Sequence, residues 1–127
     1  MAIRIDAVGI TVRDMAAALR FYRHFGLEFP EGSEQEDHVE ATQNGYRLMW
    51  DSEKLIREMD PNWVEPAGQR VGIGFLCDSP DEVDATYAAL LADGARGHLQ
   101  PWDAFWGQRF AVVLDPDGNQ VSLFAGL

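Results

Sequence analysis

Two stretches of this chain repeat one pattern, 68 residues apart. Ile3 to Gly26 reads as an apolar strand, an aspartate, a short amphipathic helix and a closing glycine, and Val71 to Gly94 reads the same way. A module this small cannot bury its own apolar face. Two copies must therefore pair, and the groove between them is where a ligand is expected. The 127 residues suffice for one pseudo-symmetric domain, 1–127, with one module at about 1–64 and the other at about 68–127.

Local patterns fill in each module. Ile3 to Val12 alternates, with Val8, Ile10 and Val12 on one side and Ala7, Gly9 and Thr11 on the other. Asp14 is placed to cap a helix whose stripe is Met15, Leu19, Tyr22 and Phe25. Leu27 to Pro30, Val39 to Thr42 and Arg47 to Trp50 read as short strands, the last two joined by the hairpin turn Asn44-Gly45. A helical turn is expected around Glu53 to Met59. In the second module Arg70 to Cys77 reads as a strand, Ser79-Pro80-Asp81-Glu82 as a helix start, and Val83, Tyr87, Leu90 and Leu91 as its buried stripe. Pro101 to Gly107 reads as a loop. Gln108 to Leu114 and Gln120 to Phe124 form a hairpin around Asp115-Pro116-Asp117-Gly118-Asn119. Each half thus reads βαβββ, and the class is α+β: a cupped mixed sheet with helices on its outer face.

Charge narrows the partners. Twenty-one acidic side chains stand against 10 Lys and Arg, for a net −11, and no basic run exists. Nucleic acid and anionic membrane surfaces are therefore excluded as partners. Cys77 is the sole cysteine, and no apolar run approaches a spanning length, so a reducing, cytoplasmic setting is expected.

The paired modules resemble the vicinal oxygen chelate superfamily, which holds glyoxalase I, extradiol dioxygenases, fosfomycin-modifying enzymes and bleomycin-resistance proteins. The resemblance is carried by Ile10 to Gly26 with Leu27-Glu28-Phe29, and by Gly107-Gln108-Arg109-Phe110-Ala111 running into Asp115-Pro116-Asp117-Gly118-Asn119. It implies a divalent cation held by His or Glu from the first and last strands of each module. The matching positions here are Ala7, Gly72, Ser122 and, by a looser alignment, Met49. None is a normal ligand for such a cation. The chain is therefore most similar to the metal-free bleomycin-resistance branch, whose homodimers sequester a drug, and no cofactor is expected.

The replacements are readable in two ways. Ala7, Gly9, Gly72 and Gly74 either leave volume near the symmetry axis or serve tight packing between the halves. Trp102, Phe105 and Trp106 crowd one short segment, and Trp50 and Trp63 border the middle of the chain. Flat aromatic side chains stack on planar ligands and attract cations, but also fill cores and interfaces. Asp103 and Arg109 either orient a polar ligand or each serve a local hydrogen bond or salt bridge. His38 and Glu40, two apart on a strand, supply two potential metal donors without a third.

These features predict a protein that binds a planar, cationic small molecule through Trp102, Trp106, Phe105, Arg109, Asp103, Trp50, Trp63, Ser122, Ala7 and Gly72. The alternative is a lyase or oxidoreductase of glyoxalase or dioxygenase type, with an atypical metal site, for example at His38 and Glu40, or with metal-free acid–base work by Asp103 or Glu40.

Overall fold

Helix starts follow directly from side-chain chemistry. Asp14 adopts extended backbone, and its carboxylate accepts a hydrogen bond from the Ala17 N–H at 3.1 Å, opening helix α1 (Met15–Arg23). Ser79 does the same for Glu82 at 3.2 Å, opening α3 (Pro80–Ala92) with proline in the first turn. Between them α2 (Glu53–Met59) is capped by the Ser52 hydroxyl. The computed structural model describes residues 2–127 and divides into two compact units, Met1–Glu65 and Pro66–Leu127.

The first unit carries a three-stranded sheet in the order β1 (Ala7–Val12), β3 (Tyr46–Ser52), β2 (His38–Gln43). β1 runs parallel to β3, and β2 antiparallel to it. Asn44 and Gly45 both take positive φ, the geometry a two-residue hairpin turn needs. Ile10, Val12, Val39, Ala41, Leu48 and Trp50 are buried on one side of this sheet with Leu19 and Tyr22 of α1.

The second unit carries a four-stranded sheet in the order β4 (Ile73–Leu76), β7 (Gln120–Gly126), β6 (Gln108–Leu114), β5 (Arg96–Ala104). Its core is Val83 and Leu90 of α3 with Ala111, Val113, Val121, Leu123 and Ala125. Tyr87 lays its hydroxyl over Gly97, where any Cβ would collide with it. Asp115, 1% exposed, holds the β6–β7 turn by accepting from the Asp117 and Asn119 N–H groups and the Asn119 side-chain amide.

The α+β class is as expected, and four boundaries differ. Leu27 to Pro30 forms no strand, so the first unit is βαββ followed by α2. Leu27 is buried there as an isolated side chain, and Phe29 packs edge-on to Trp50 at 5.0 Å. β1 starts at Ala7, not Ile3, because its partner β3 starts only at Tyr46 and the chain before Ala7 has nothing to pair with. β4 is likewise shorter than Arg70 to Cys77. Pro101 to Ala104, expected as loop, continues β5, with the turn confined to residues 105–107.

Candidate functional site

Register builds a continuous row of apolar side chains across the second sheet. Trp102 lies opposite Phe110, Phe110 opposite Phe124, and Phe124 opposite Leu76. A neighbouring row runs Leu99, Val112, Ser122, Gly74. Side chains alternate along β4, β6 and β7, and a register irregularity in β5 between Leu99 and Trp102 offsets their odd spacing, so both rows stand on the face opposite α3. Phe110 and Phe124 stack with centroids 6.4 Å apart and planes 19° apart. At the hairpin tip Trp106 stands edge-on to Trp102, Phe105 and Phe110, at 5.6, 5.0 and 5.2 Å. Its indole N–H donates to Gln108 Oε1 at 2.8 Å, which fixes the ring. Leu76 is 74% exposed, Phe105 91%, Trp106 47% and Trp102 41%. Large apolar side chains gathered on one exposed face are the mark of a binding surface.

The four small residues in question part company. A Cβ at Gly74 would lie 2.8 Å from Phe124 Cε1 and 3.0 Å from Ser122 Oγ, so Gly74 serves close packing. A Cβ at Gly9 would meet only Met49 Cε, at 3.9 Å. Gly72 lies just before β4, beside the Gln120 carbonyl, and Ala7 opens β1 opposite Arg47.

Asp103 and Arg109 belong to the other face. Their register places them opposite each other. Arg109 donates to Asp103 at 2.6 Å through Nε and to both oxygens of Asp84 on α3, at 2.9 and 2.8 Å, through Nη1. These two carboxylates hold the guanidinium even more firmly protonated than usual. The triplet ties α3 to the β5–β6 hairpin from behind, and neither residue joins Trp102 on the aromatic face.

In the first unit, Trp50 is 0% exposed, packed edge-on to Tyr22 at 5.3 Å and to Phe29. This is a core position, and its indole N–H has no hydrogen-bond partner among the described residues. Trp63 lies under the Arg57 guanidinium, 4.8 Å from the ring centre, a local pairing with α2.

The opposite face of the first sheet carries a chain of charges. His38 Nδ1–H donates to Asp51 at 2.5 Å and Nε2–H to Glu40 at 2.6 Å. Arg47 grips Glu40 through Nε and Nη2, at 2.8 and 2.7 Å, and Asp6 through Nη1 at 2.7 Å. A carboxylate at each ring nitrogen favours the imidazolium form of His38, and its pKa is raised by Asp51 first and Glu40 second. Arg47, and then His38, hold the Glu40 carboxyl down at about 2. His38 thus has no lone pair to offer a metal while these bonds stand.

Sequence reasoning did not single out Phe110, Phe124, Leu76, Asp51, Arg47 or Asp84. Counting outward from the Asn44-Gly45 turn would have set His38 opposite Asp51, and counting from the Asp115–Asn119 turn would have set Phe110 opposite Phe124. No local signal pointed to Asp84.

Set against known proteins, the sequence profile of the Glyoxalase/Bleomycin resistance protein/Dioxygenase superfamily matches residues 4–123. The chain belongs to this superfamily. Solved structures of glyoxalase-superfamily proteins share its fold. A family enzyme from Burkholderia phytofirmans PsJN has a TM-score of 0.84 at 22% identity, over 96% of this chain and 98% of that one. A glyoxalase/bleomycin resistance protein/dioxygenase from Nocardioides has a TM-score of 0.75 at 25% identity, over 100% of this chain and 85% of that one. A lactoylglutathione lyase from Agrobacterium tumefaciens has a TM-score of 0.69 at 23% identity, over 97% and 93%. No curated protein matches the sequence significantly.

The metal implied by superfamily membership does not fit the residues at its expected positions. Ala7 and Gly72 carry no donor, and Met49 is a soft thioether. The Ser122 hydroxyl is a neutral oxygen, 3.5 Å from the Ile73 carbonyl. Among the described residues, no three His, Cys, Asp or Glu side chains converge to hold an ion. No helix of the described residues is long and apolar enough to cross a membrane.

Proposed function

We propose that this protein is a cytoplasmic, homodimeric binding protein that takes up a planar small molecule on the aromatic face of its second unit, without a metal. The observation that carries this reading is the unbroken row Trp102, Phe110, Phe124, Leu76 with Trp106 at its rim, exposed at both ends and half-buried at the two central rings, where a self-sufficient sheet would present polar groups. Flat ligands gain about 0.5–1.5 kcal/mol per aromatic partner beyond simple burial. Arg109, bonded behind the sheet to α3, holds the hairpin that bears both tryptophans, and such preorganisation favours binding.

Titration with a panel of planar compounds, followed by tryptophan emission, tests the reading. Quenching is expected, and Trp106→Ala is expected to weaken binding by about tenfold, the loss of roughly one aromatic contact. Unchanged emission across the panel would overturn the proposal. Sedimentation analysis tests the homodimer separately. The competing enzymatic reading, a lyase or oxidoreductase with an atypical metal site, requires His38 to release a carboxylate. Elemental analysis of protein purified without chelator decides against sequestration if Ni, Zn, Fe or Mn is found in stoichiometric amount.

A further inference from the structure

Resting on that reading, we infer that the aromatic face selects neutral planar rings carrying an N–H donor at their edge, and that Ser122 is the residue that selects them. The two rows that form the face are Trp102, Phe110, Phe124 and Leu76, then Leu99, Val112, Ser122 and Gly74. They contain no charged side chain. The carboxylate nearest in sequence to the tryptophans, Asp103, stands on the reverse of the sheet and is bonded to Arg109. A cationic ligand would give up its hydration on this face and find no counter-charge, which makes its burial costly. A neutral ring loses little.

Within these rows Ser122 Oγ is the single side-chain hydrogen-bond acceptor, because the Trp102 indole only donates. The hydroxyl is half-buried, and its hydrogen is directed to the Ile73 carbonyl at 3.5 Å, the long limit of a hydrogen bond. Its lone pairs are therefore left to accept. A ligand laid over Phe110 and Phe124 covers this oxygen and must either satisfy it or strand it, and stranded polar groups discriminate strongly between ligands. Gly74 completes the arrangement. Its missing Cβ is what lets Ser122 Oγ and the Phe124 ring sit side by side over β4.

The test uses three probes of similar size on the full chain: benzimidazole, N-methylbenzimidazole and the benzamidinium cation. Nitrogen-edited proton NMR follows the Trp102 and Trp106 indole signals at slightly alkaline pH and about 0.15 M salt, where long-range attraction by the net −11 charge is screened. Benzimidazole is expected to bind about 3–10-fold more tightly than its N-methyl analogue, one hydrogen bond's worth. In Ser122→Ala the two are expected to bind equally, because no acceptor remains for benzimidazole to satisfy or for the N-methyl compound to strand. Ser122→Cys, of similar shape but a weak acceptor, gives the same readout should the alanine variant lose spectral dispersion. A preference for benzamidinium, or a benzimidazole preference that survives in both variants, would overturn this inference and leave planar binding standing. If no probe moves either indole signal, the binding reading falls and this inference falls with it.

Discussion

Replacing the two strand glycines one at a time separates packing from open space in a single experiment. Gly9 of β1 and Gly74 of β4 each lie on the first strand of their unit, and neither has positive φ, so alanine is sterically allowed by the backbone at both. At Gly74 the new methyl would arrive 2.8 Å from Phe124 Cε1, 3.0 Å from Ser122 Oγ and 3.5 Å from Phe124 Cζ. The ring cannot retreat freely, since its other neighbour is the stacked Phe110. Overpacking of this kind costs about 1–3 kcal/mol. Reduced unfolded-state entropy returns about 0.4–1 kcal/mol, so Gly74→Ala should lose about 1–2 kcal/mol net. At Gly9 only the mobile Met49 Cε is in reach, at 3.9 Å. Gly9→Ala should therefore gain about 0.4–1 kcal/mol. Urea unfolding gives both numbers from midpoint shifts at constant slope. Phe124→Leu in the Gly74→Ala background should recover part of the loss, a coupling of about 0.5–3 kcal/mol for touching residues. A Gly74→Ala protein as stable as the parent, or a Gly9→Ala protein less stable than it, would refute the assignment of these glycines.

Two further outcomes follow from side chains already described. His38 should titrate above its ordinary 6.5, and Asp51→Asn should bring its NMR midpoint back down. Its cross-strand pairing contributes fully below 6.5 and fades as pH rises through the raised value, whereas that of Glu40 is present above 4.5 and fades as pH falls toward about 2. Urea midpoints measured against pH should decline on both sides of that window, and a flat profile in the alkaline direction would contradict the imidazolium assignment. Asp115→Ala strips three acceptor bonds from the buried β6–β7 turn and should cost about 1–3 kcal/mol by thermal or urea unfolding. A loss within the error of the measurement would show that the turn holds without them.

What the sequence disclosed was local. Asp14, Ser79 and Asn44-Gly45 act through atoms a few residues away, so the helix starts and the first hairpin were readable. Strand ends depend on partners. Ile3 to Asp6 alternates like a strand, but β3 begins at Tyr46 and leaves it unpaired. Leu27 to Pro30 has β-like composition and no neighbouring strand to use it. The largest consequence came from reading 101–107 as loop. Once Trp102 to Ala104 is strand, alternation sends Trp102 and Asp103 to opposite faces, and an expected mixed cluster of rings and charges separates into an apolar face and a rear clamp. Trp50 could not be placed from sequence because its burial depends on Tyr22 and Phe29, distant along the chain.

The row that crosses four strands also polices their alignment. Sliding β6 by one residue would thrust the Arg109 guanidinium among the rings and drive Phe110 toward α3, into the layer now occupied by Ala111 and Ala125. Few mispairings could be punished twice over in this way, once by stranded charge and once by bulk. The same surface that we propose receives a visitor thus acts, during folding, as a proof-reader that rejects any slip by a single residue.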